Sequence, residues 1–359
     1  MEKQFHVVGK SIERLDARDK VTGTAQYTSD ITLPGMLIAK LVRSPYAHAR
    51  IKSIDKREAE ALPGVKTILT WEDAPRVPYN TAGYPRETIA GVLPVPMEYL
   101  EDKYLLDNVI HYQGEPVAVV LAVDEDTAAQ AAQLVHVEYE VLPHAITIDQ
   151  ALAEDAPEVH KGTRKNVIEA EMSKGNVEEG FAKADFIFED TYETPGQQHF
   201  CMEATCSVAK VDPSGKVTIW STTQVPFHCR RWISEVLGLP MNKIRVIKPA
   251  LGGGFGERQM PQNEILCVFA ALKAGQPVKM EMTREENAAF ITRRHPAQIY
   301  LKSGLSKEGE ILAFEIKVRT DAGAYTGHSP YVTKAMCTKN PYRMENLKFQ
   351  AEIVYTNLP

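Results

Sequence analysis

PALGGGFGERQ, residues 249–259, places four glycines in five positions, with a phenylalanine between the third and the fourth. Without Cβ atoms, the backbone N–H groups of such a run can approach an anionic or oxo ligand closely, next to the positive end of a following helix. The common nucleotide loops do not fit. A G-x-G-x-x-G pattern started at Gly252 needs its last glycine at position 257, where Glu257 stands, and a phosphate-binding loop needs Gly-Lys-Ser/Thr, which is absent. A nicotinamide dehydrogenase is therefore disfavoured. On this segment alone, a tight turn without ligand is the plain alternative.

Working outward, KIRVIKPAL (243–251) reads as a strand entering the run. EILCVFAALKAG (264–275) carries Ile265, Leu266, Phe269 and Leu272 at helical spacing, with Gly275 as C-cap and Pro277 beyond, and VKMEMT (278–283) returns as a strand. The loop is then a strand-to-helix turn inside a β-α-β unit. Upstream, CSVAKV, the turn DPSG and KVTIWSTTQ form a hairpin over 206–224, followed by a helix in CRRWISEVLGL that stops at Gly238 and Pro240. Downstream, a second hairpin over 297–320 leads to a Gly-rich loop, DAGAYTGHSPYV (321–332), and to a β-like run, EIVYTNLP (352–359).

Strand and helix signals also alternate from Tyr27 to about His144, as expected of a small α+β domain. MLIAKLVRS and VIHYQGEPVAVVLAV read as strands, and DEDTAAQAAQLVHVEYEVLP as a helix capped near Asp124 or Asp126 running into a strand. His48 and His111, beside apolar strand residues, read as partnered histidines rather than ligands. Residues 145–190, with EDAPEVHKGTRKN and KGNVEEGFAKADF, are polar and turn-rich and read as a connection, so the domains divide as 1–150 and 151–359.

The length of 359 residues favours two domains, and 41 basic against 47 acidic residues give a net charge of −6 without a like-charge block. No nucleic-acid partner and no membrane span are expected, and the cytoplasm is the expected compartment. Five cysteines, an odd number, argue for reduced thiols. Cys201 and Cys206 form a C-x4-C pair whose third iron–sulfur position falls on Ala209, so no cluster is expected in this chain.

GGGFGERQ, preceded by WSTTQVPF and followed by QPVKMEMTREENAAFITRRHP, resembles the large, molybdopterin-binding subunit of the xanthine dehydrogenase and aldehyde oxidase family of molybdenum hydroxylases. GKSIERLDARDKVTGTAQYTSDITLPGMLIAKLVRSPYAHARI and GEPVAVVLA are similar to that subunit's N-terminal domain. Only the N-terminal half of the subunit is matched, in several blocks in family order. The resemblance implies an α+β fold: an α/β hammerhead-like domain, then the first, incomplete part of an α/β molybdopterin-binding domain. It implies a Mo-molybdopterin cofactor, in the cytosine dinucleotide form expected of a separate bacterial subunit, with a sulfido or selenido ligand on the metal. Iron–sulfur clusters and FAD are implied on partner subunits. The implied reaction is hydroxylation of an N-heterocycle or aldehyde, a small-molecule substrate, with water as oxygen source.

By similarity, Gln224 lies beside molybdenum and hydrogen-bonds a metal–oxygen ligand. Phe255 offers its backbone N–H to the apical oxo group, and Gly253, Gly254 and Gly256 leave room for the pterin–metal unit. Gln259 stands where animal xanthine oxidoreductases carry a purine-binding acid, which puts xanthine in doubt because an amide is no acid–base partner near neutral pH. Leu358 matches a residue of the substrate channel. A substrate-orienting arginine, most pterin contacts and the catalytic glutamate are implied beyond TNLP, in a second chain or a missing C-terminal half, so this chain alone is expected to be inactive. Glu203 in HFCMEATC is the candidate substitute base and is outweighed by a structural pairing. His199 is weighed likewise, and Arg293 and Arg294 read as a solvated basic face. The alternative is a truncated, non-catalytic assembly protein that keeps the fold.

Overall fold

The computed structural model describes residues 5–83, 100–162, 166–339 and 341–359. Among them the strands are β1 (Leu37–Arg43), β2 (Ala49–Asp55), β3 (Val65–Thr70), β4 (Val109–Ile110), β5 (Pro116–Ala122), β6 (His136–Val141), β7 (Val167–Lys174), β8 (Phe186–Thr194), β9 (Cys206–Val211), β10 (Val217–Ser221), β11 (Ile244–Ile247), β12 (Val278–Glu281), β13 (Ala297–Leu305), β14 (Ile311–Gly323) and β15 (Leu347–Tyr355). The helices are α1 (Ala17–Thr22), α2 (Arg57–Glu60), α3 (Glu125–Gln133), α4 (Ile148–Ala151), α5 (Val177–Ala182), α6 (Pro226–Leu237), α7 (Glu264–Ala274), α8 (Arg284–Ala289) and α9 (Ser329–Thr338).

The largest sheet has seven strands in the order β11-β10-β9-β12-β1-β5-β3. It joins the two halves of the chain, because β1 pairs in parallel with β12 through Leu37↔Val278 and Ala39↔Met280. β5 explains itself from its sequence: PVAVVLA is an unbroken apolar run, as a strand covered on both faces must be. Val119 and Leu121 face the core under α6 and α7, while Ala118 and Val120 face α3. Asp124 caps α3, its side chain accepting Thr127 N–H at 2.8 Å.

Between β11 and β12 the chain crosses two strands by way of the glycine loop and α7, so the expected β-α-β unit is present. α7 is buried on every side from Glu264 to Ala271, whereas Leu272 faces solvent, contrary to its expected place on the buried face. Gly238 and Gly275 close α6 and α7 in the left-handed conformation that the sequence anticipates.

A three-stranded sheet, β4-β2-β6, completes the first half. A five-stranded sheet, β7-β15-β14-β13-β8, corrects two expectations. Residues 145–190 are more than a connection, since they contribute β7, α5 and β8, the two edge strands of this sheet and the helix between them. The Gly-rich stretch after residue 321 continues β14 to Gly323 and then enters α9 rather than a long loop. One face of this sheet packs Val318, Phe349 and Ala351 into a core, and the same face runs out to β8, where Phe186, Phe188 and Tyr192 are exposed.

Candidate functional site

Two segments meet beyond the ends of β10 and β11. Their positions are fixed by a buried polar seam: Ser207 Oγ donates to Asn263 Oδ1 at 2.8 Å and Ser221 Oγ to Glu264 Oε1 at 3.0 Å. Asn263 Nδ2 donates to Met280 C=O at 2.9 Å, which ties the start of α7 to the sheet. From that base Thr222, Thr223 and Gln224 leave β10 toward the glycine loop.

The contact between the two segments is direct. Gly256 N–H donates to Gln224 Oε1 at 3.0 Å, and Gln224 N–H donates to Arg258 C=O at 3.0 Å. A Cβ on Gly254 would lie 2.6 Å from Gln224 Cδ, so the carboxamide rests on bare backbone. Gly253 is held at φ +112° between Cys201 and the Phe255 ring, and Gly256 at φ +102°. Phe255 itself takes φ +52°, costly for a residue with a side chain, and leaves its ring 76% exposed. Among the described residues, the N–H groups of Gly253, Gly254 and Phe255 have no acceptor. Successive backbone donors turned by left-handed residues form a cradle for an anionic or oxo group.

Behind this cradle lies a set of buried charges, of which sequence reasoning missed Glu257 and Arg258. Glu257 and Arg258 are almost wholly inaccessible, and Glu203 is nearly so. Glu203 Oε2 accepts from Gly252 N–H at 2.7 Å and from Arg258 Nη1 at 3.0 Å. Arg258 Nη2 also donates to the Glu203 carbonyl. Glu203 is thus the structurally paired carboxylate that the sequence favoured over a base. Glu257 Oε1 lies 3.6 Å from Arg258 Nε, and its other oxygen 3.9 Å from His199 Nδ1. Burial holds the His199 imidazolium below its usual range, and burial with Glu257 nearby pushes the Cys201 thiol up to about 11. Both shifts favour the neutral form of the group concerned.

The predicted positions thus divide. Gln224, Gly253, Gly254, Phe255 and Gly256 share one site. Gln259 follows directly, half-buried, its N–H on Gly256 C=O at 3.3 Å. Leu358 sits apart, its C=O accepting Ala324 N–H at 2.7 Å. Neither lines the adjoining cavity, but each is followed by a residue that does, Met260 and Pro359. That cavity also takes in Lys103, whose ammonium burial pushes down and which lies 4.7 Å over the Tyr325 ring. Arg293, expected on a solvated basic face, instead pairs with Asp321 at 3.3 Å on the cavity wall. His48 and His111 are buried partners in a stack, His48 Nδ1 lying 2.6 Å from Pro143 C=O. Cys201, Cys206, Cys229 and Cys267 are free, and the side chain of Cys337 lies outside the described residues. Among the described residues no helix is long and apolar enough to cross a membrane.

Comparison with known proteins places the same two segments in context. Residues 22–143 match the aldehyde oxidase and xanthine dehydrogenase a/b hammerhead domain, and residues 159–359 match the molybdopterin cofactor-binding domain. A xanthine dehydrogenase molybdenum-binding subunit of Escherichia coli O157:H7 is 39% identical over 350 residues, which is 96% of this chain and 46% of that protein. The nicotinate dehydrogenase large molybdopterin subunit of Eubacterium barkeri is 32% identical over 361 residues, covering all of this chain and 81% of that protein. The solved aldehyde oxidoreductase of Desulfovibrio gigas superposes with a TM-score of 0.88 at 29% identity, over 96% of this chain and 38% of that one. The chain therefore spans about half the length of several relatives it matches.

Proposed function

Because the chain belongs to the aldehyde oxidase and xanthine dehydrogenase family of molybdopterin-binding oxidoreductase subunits, we propose that its glycine loop and Gln224 form one wall of a molybdenum site in an enzyme that hydroxylates a small N-heterocycle or aldehyde. The observation that carries this reading is the bond from Gly256 N–H to Gln224 Oε1 at 3.0 Å, beside three backbone N–H groups without acceptors among the described residues. Relatives' names include both substrate classes, xanthine and nicotinate on one side and an aldehyde on the other.

When bound, the molybdopterin-held metal supplies two-electron oxidation and activates water as the oxygen source. The chain's own part is to orient. Phe255 N–H donates a fixed hydrogen bond into the site, at no reorganisation cost during reaction. The Gln224 carboxamide, its oxygen held by Gly256, has its NH2 end as a second donor. Gly253 and Gly254 keep the wall thin. Met260 and Pro359, the residues that follow Gln259 and Leu358, border the substrate side, and Gln259, as an amide, exchanges no protons there. Glu203 serves the wall from behind, its Oε2 accepting from Gly252 N–H and Arg258 Nη1. The general base, most pterin contacts and the cytosine dinucleotide-binding residues belong, in this reading, to polypeptide outside these residues. Electrons leave through iron–sulfur and FAD groups on partner subunits.

The test is the native complex isolated by this chain. Molybdenum near one atom per chain, with a fluorescent oxidised pterin carrying a cytosine nucleotide, is expected. A stable complex with neither metal nor pterin overturns the reading in favour of an assembly protein.

A further inference from the structure

We propose that Glu203 and Arg258 are positioning residues, a clamp beneath the glycine loop that aims Phe255 N–H and the Gln224 carboxamide at one ligand; the inference deepens the reading of the loop given above and rests on it. One carboxylate oxygen holds both ends of the loop. Glu203 Oε2 takes Gly252 N–H at 2.7 Å at the entry and Arg258 Nη1 at 3.0 Å at the exit. The hold is reciprocal, because Glu203 N–H donates to Gly252 C=O at 3.2 Å and Arg258 Nη2 donates to Glu203 C=O. The clamp extends to Gln224, whose N–H is taken by Arg258 C=O at 3.0 Å. Between the two clamped ends lie the backbone N–H groups of Gly253, Gly254 and Phe255, which have no acceptor among the described residues.

The pair also explains the first glycine of the run. A Cβ on Gly252 would sit 2.5 Å from Glu203 Cβ, so the first glycine serves the clamp, whereas a Cβ on Gly254 would strike Gln224. Arg258 is 1% exposed, and a guanidinium so far from water is held by a carboxylate at hydrogen-bond distance or not at all. Glu203 meets that need, since the nearest approach of Glu257 to Arg258 is 3.6 Å. The fork geometry of arginine matters, because Nη1 and Nη2 go to different acceptors of one residue and a lysine has no such fork. Both side chains bond the backbone at the ends of the loop, and they act through it.

The variants Glu203→Ala, Glu203→Gln and Arg258→Lys are compared in the complete, metal-loaded complex by hydrogen exchange of the peptide over 251–259 and by the shape of the Mo(V) paramagnetic resonance signal. Glu203→Ala is expected to speed exchange in the loop by about tenfold or more and to alter the signal. Glu203→Gln keeps an acceptor for Gly252 N–H but takes the carboxylate from Arg258, so it is expected to restore both only in part, and Arg258→Lys, which keeps the charge pair without the fork, is also expected to be intermediate. Wild-type exchange in Glu203→Ala, or faster exchange with an unaltered signal, overturns the clamp. If Glu203→Ala does not fold, Arg258→Lys decides by the same two readouts. A wild-type complex without molybdenum overturns the site reading instead, and the exchange data then judge the clamp alone.

Discussion

Gly254 is the residue at which chemistry and sterics coincide most closely. Alanine there would place a methyl 2.6 Å from Gln224 Cδ, and the carboxamide must swing away, giving up its 3.0 Å bond to Gly256 N–H. For Gly254→Ala in the complete complex we expect kcat/KM to fall by about tenfold to a hundredfold, equivalent to about 1.4–2.8 kcal/mol of transition-state stabilisation. Steady-state kinetics normalised to molybdenum content check this, and unchanged kcat/KM per metal would count against the cradle. The loop glycines, Phe255 and Gln224 were legible from the resemblance, since all lie in WSTTQVPF or GGGFGERQ, the stretches that carry it. Glu257 and Arg258 were not, because charged residues in a glycine-rich turn are by default solvated. The signal available was pairwise: an acid amid apolar residues in HFCMEATC, and an arginine two residues past the last glycine.

At the scale of elements, α6 and α7 carry the loop, and Trp232 joins them to the first half of the chain. Its indole is fully buried and Nε1–H donates to Asn80 C=O at 3.0 Å. Trp232→Ala removes the largest side chain of this core and leaves a buried carbonyl unpaired, so a loss of about 3–5 kcal/mol is expected. Urea unfolding measures it; a loss under about 1 kcal/mol would mean that the core repacks freely. Elements with strong local signals were readable from sequence: the hairpin β9–β10, the glycine C-caps of α6 and α7, and the capped α3. β7, α5 and β8 escaped because edge strands alternate charged and apolar residues and need not bury both faces. All nine residues of β8 are exposed, so no burial pattern was there to read. α9 escaped because Gly327 and Pro330 around His328 look like a turn, although proline is well tolerated in a first helical turn.

For the whole molecule, the cavity beside the site makes stability depend on pH. Burial, with Arg293 nearby, pushes His295 down to about 4 from an ordinary 6.5, and burial with His228 and His295 nearby does the same to His328. Below about 6.5 the unfolded chain takes up protons at these positions before the folded chain does. Stability is therefore fully present above that pH and is lost as pH falls toward 4, by up to about 1.4 kcal/mol per pH unit for each histidine. A urea midpoint lower at pH 5.5 than at pH 7.5, with the difference reduced in His295→Gln, is expected. Identical midpoints would show that these rings titrate as free histidines do.

The central sheet, finally, sets a timetable for synthesis. Leu37 is made early, yet its parallel partner Val278 emerges only after more than two hundred further residues. At about 5–20 residues per second the ribosome needs roughly ten seconds to most of a minute to deliver it. Throughout that interval one hydrogen-bonding edge of β1 waits without its neighbour, in a nascent chain whose two family-matched segments cannot close their shared sheet separately. An edge left open for so long is a template for pairing with the wrong strand, in this chain or in another.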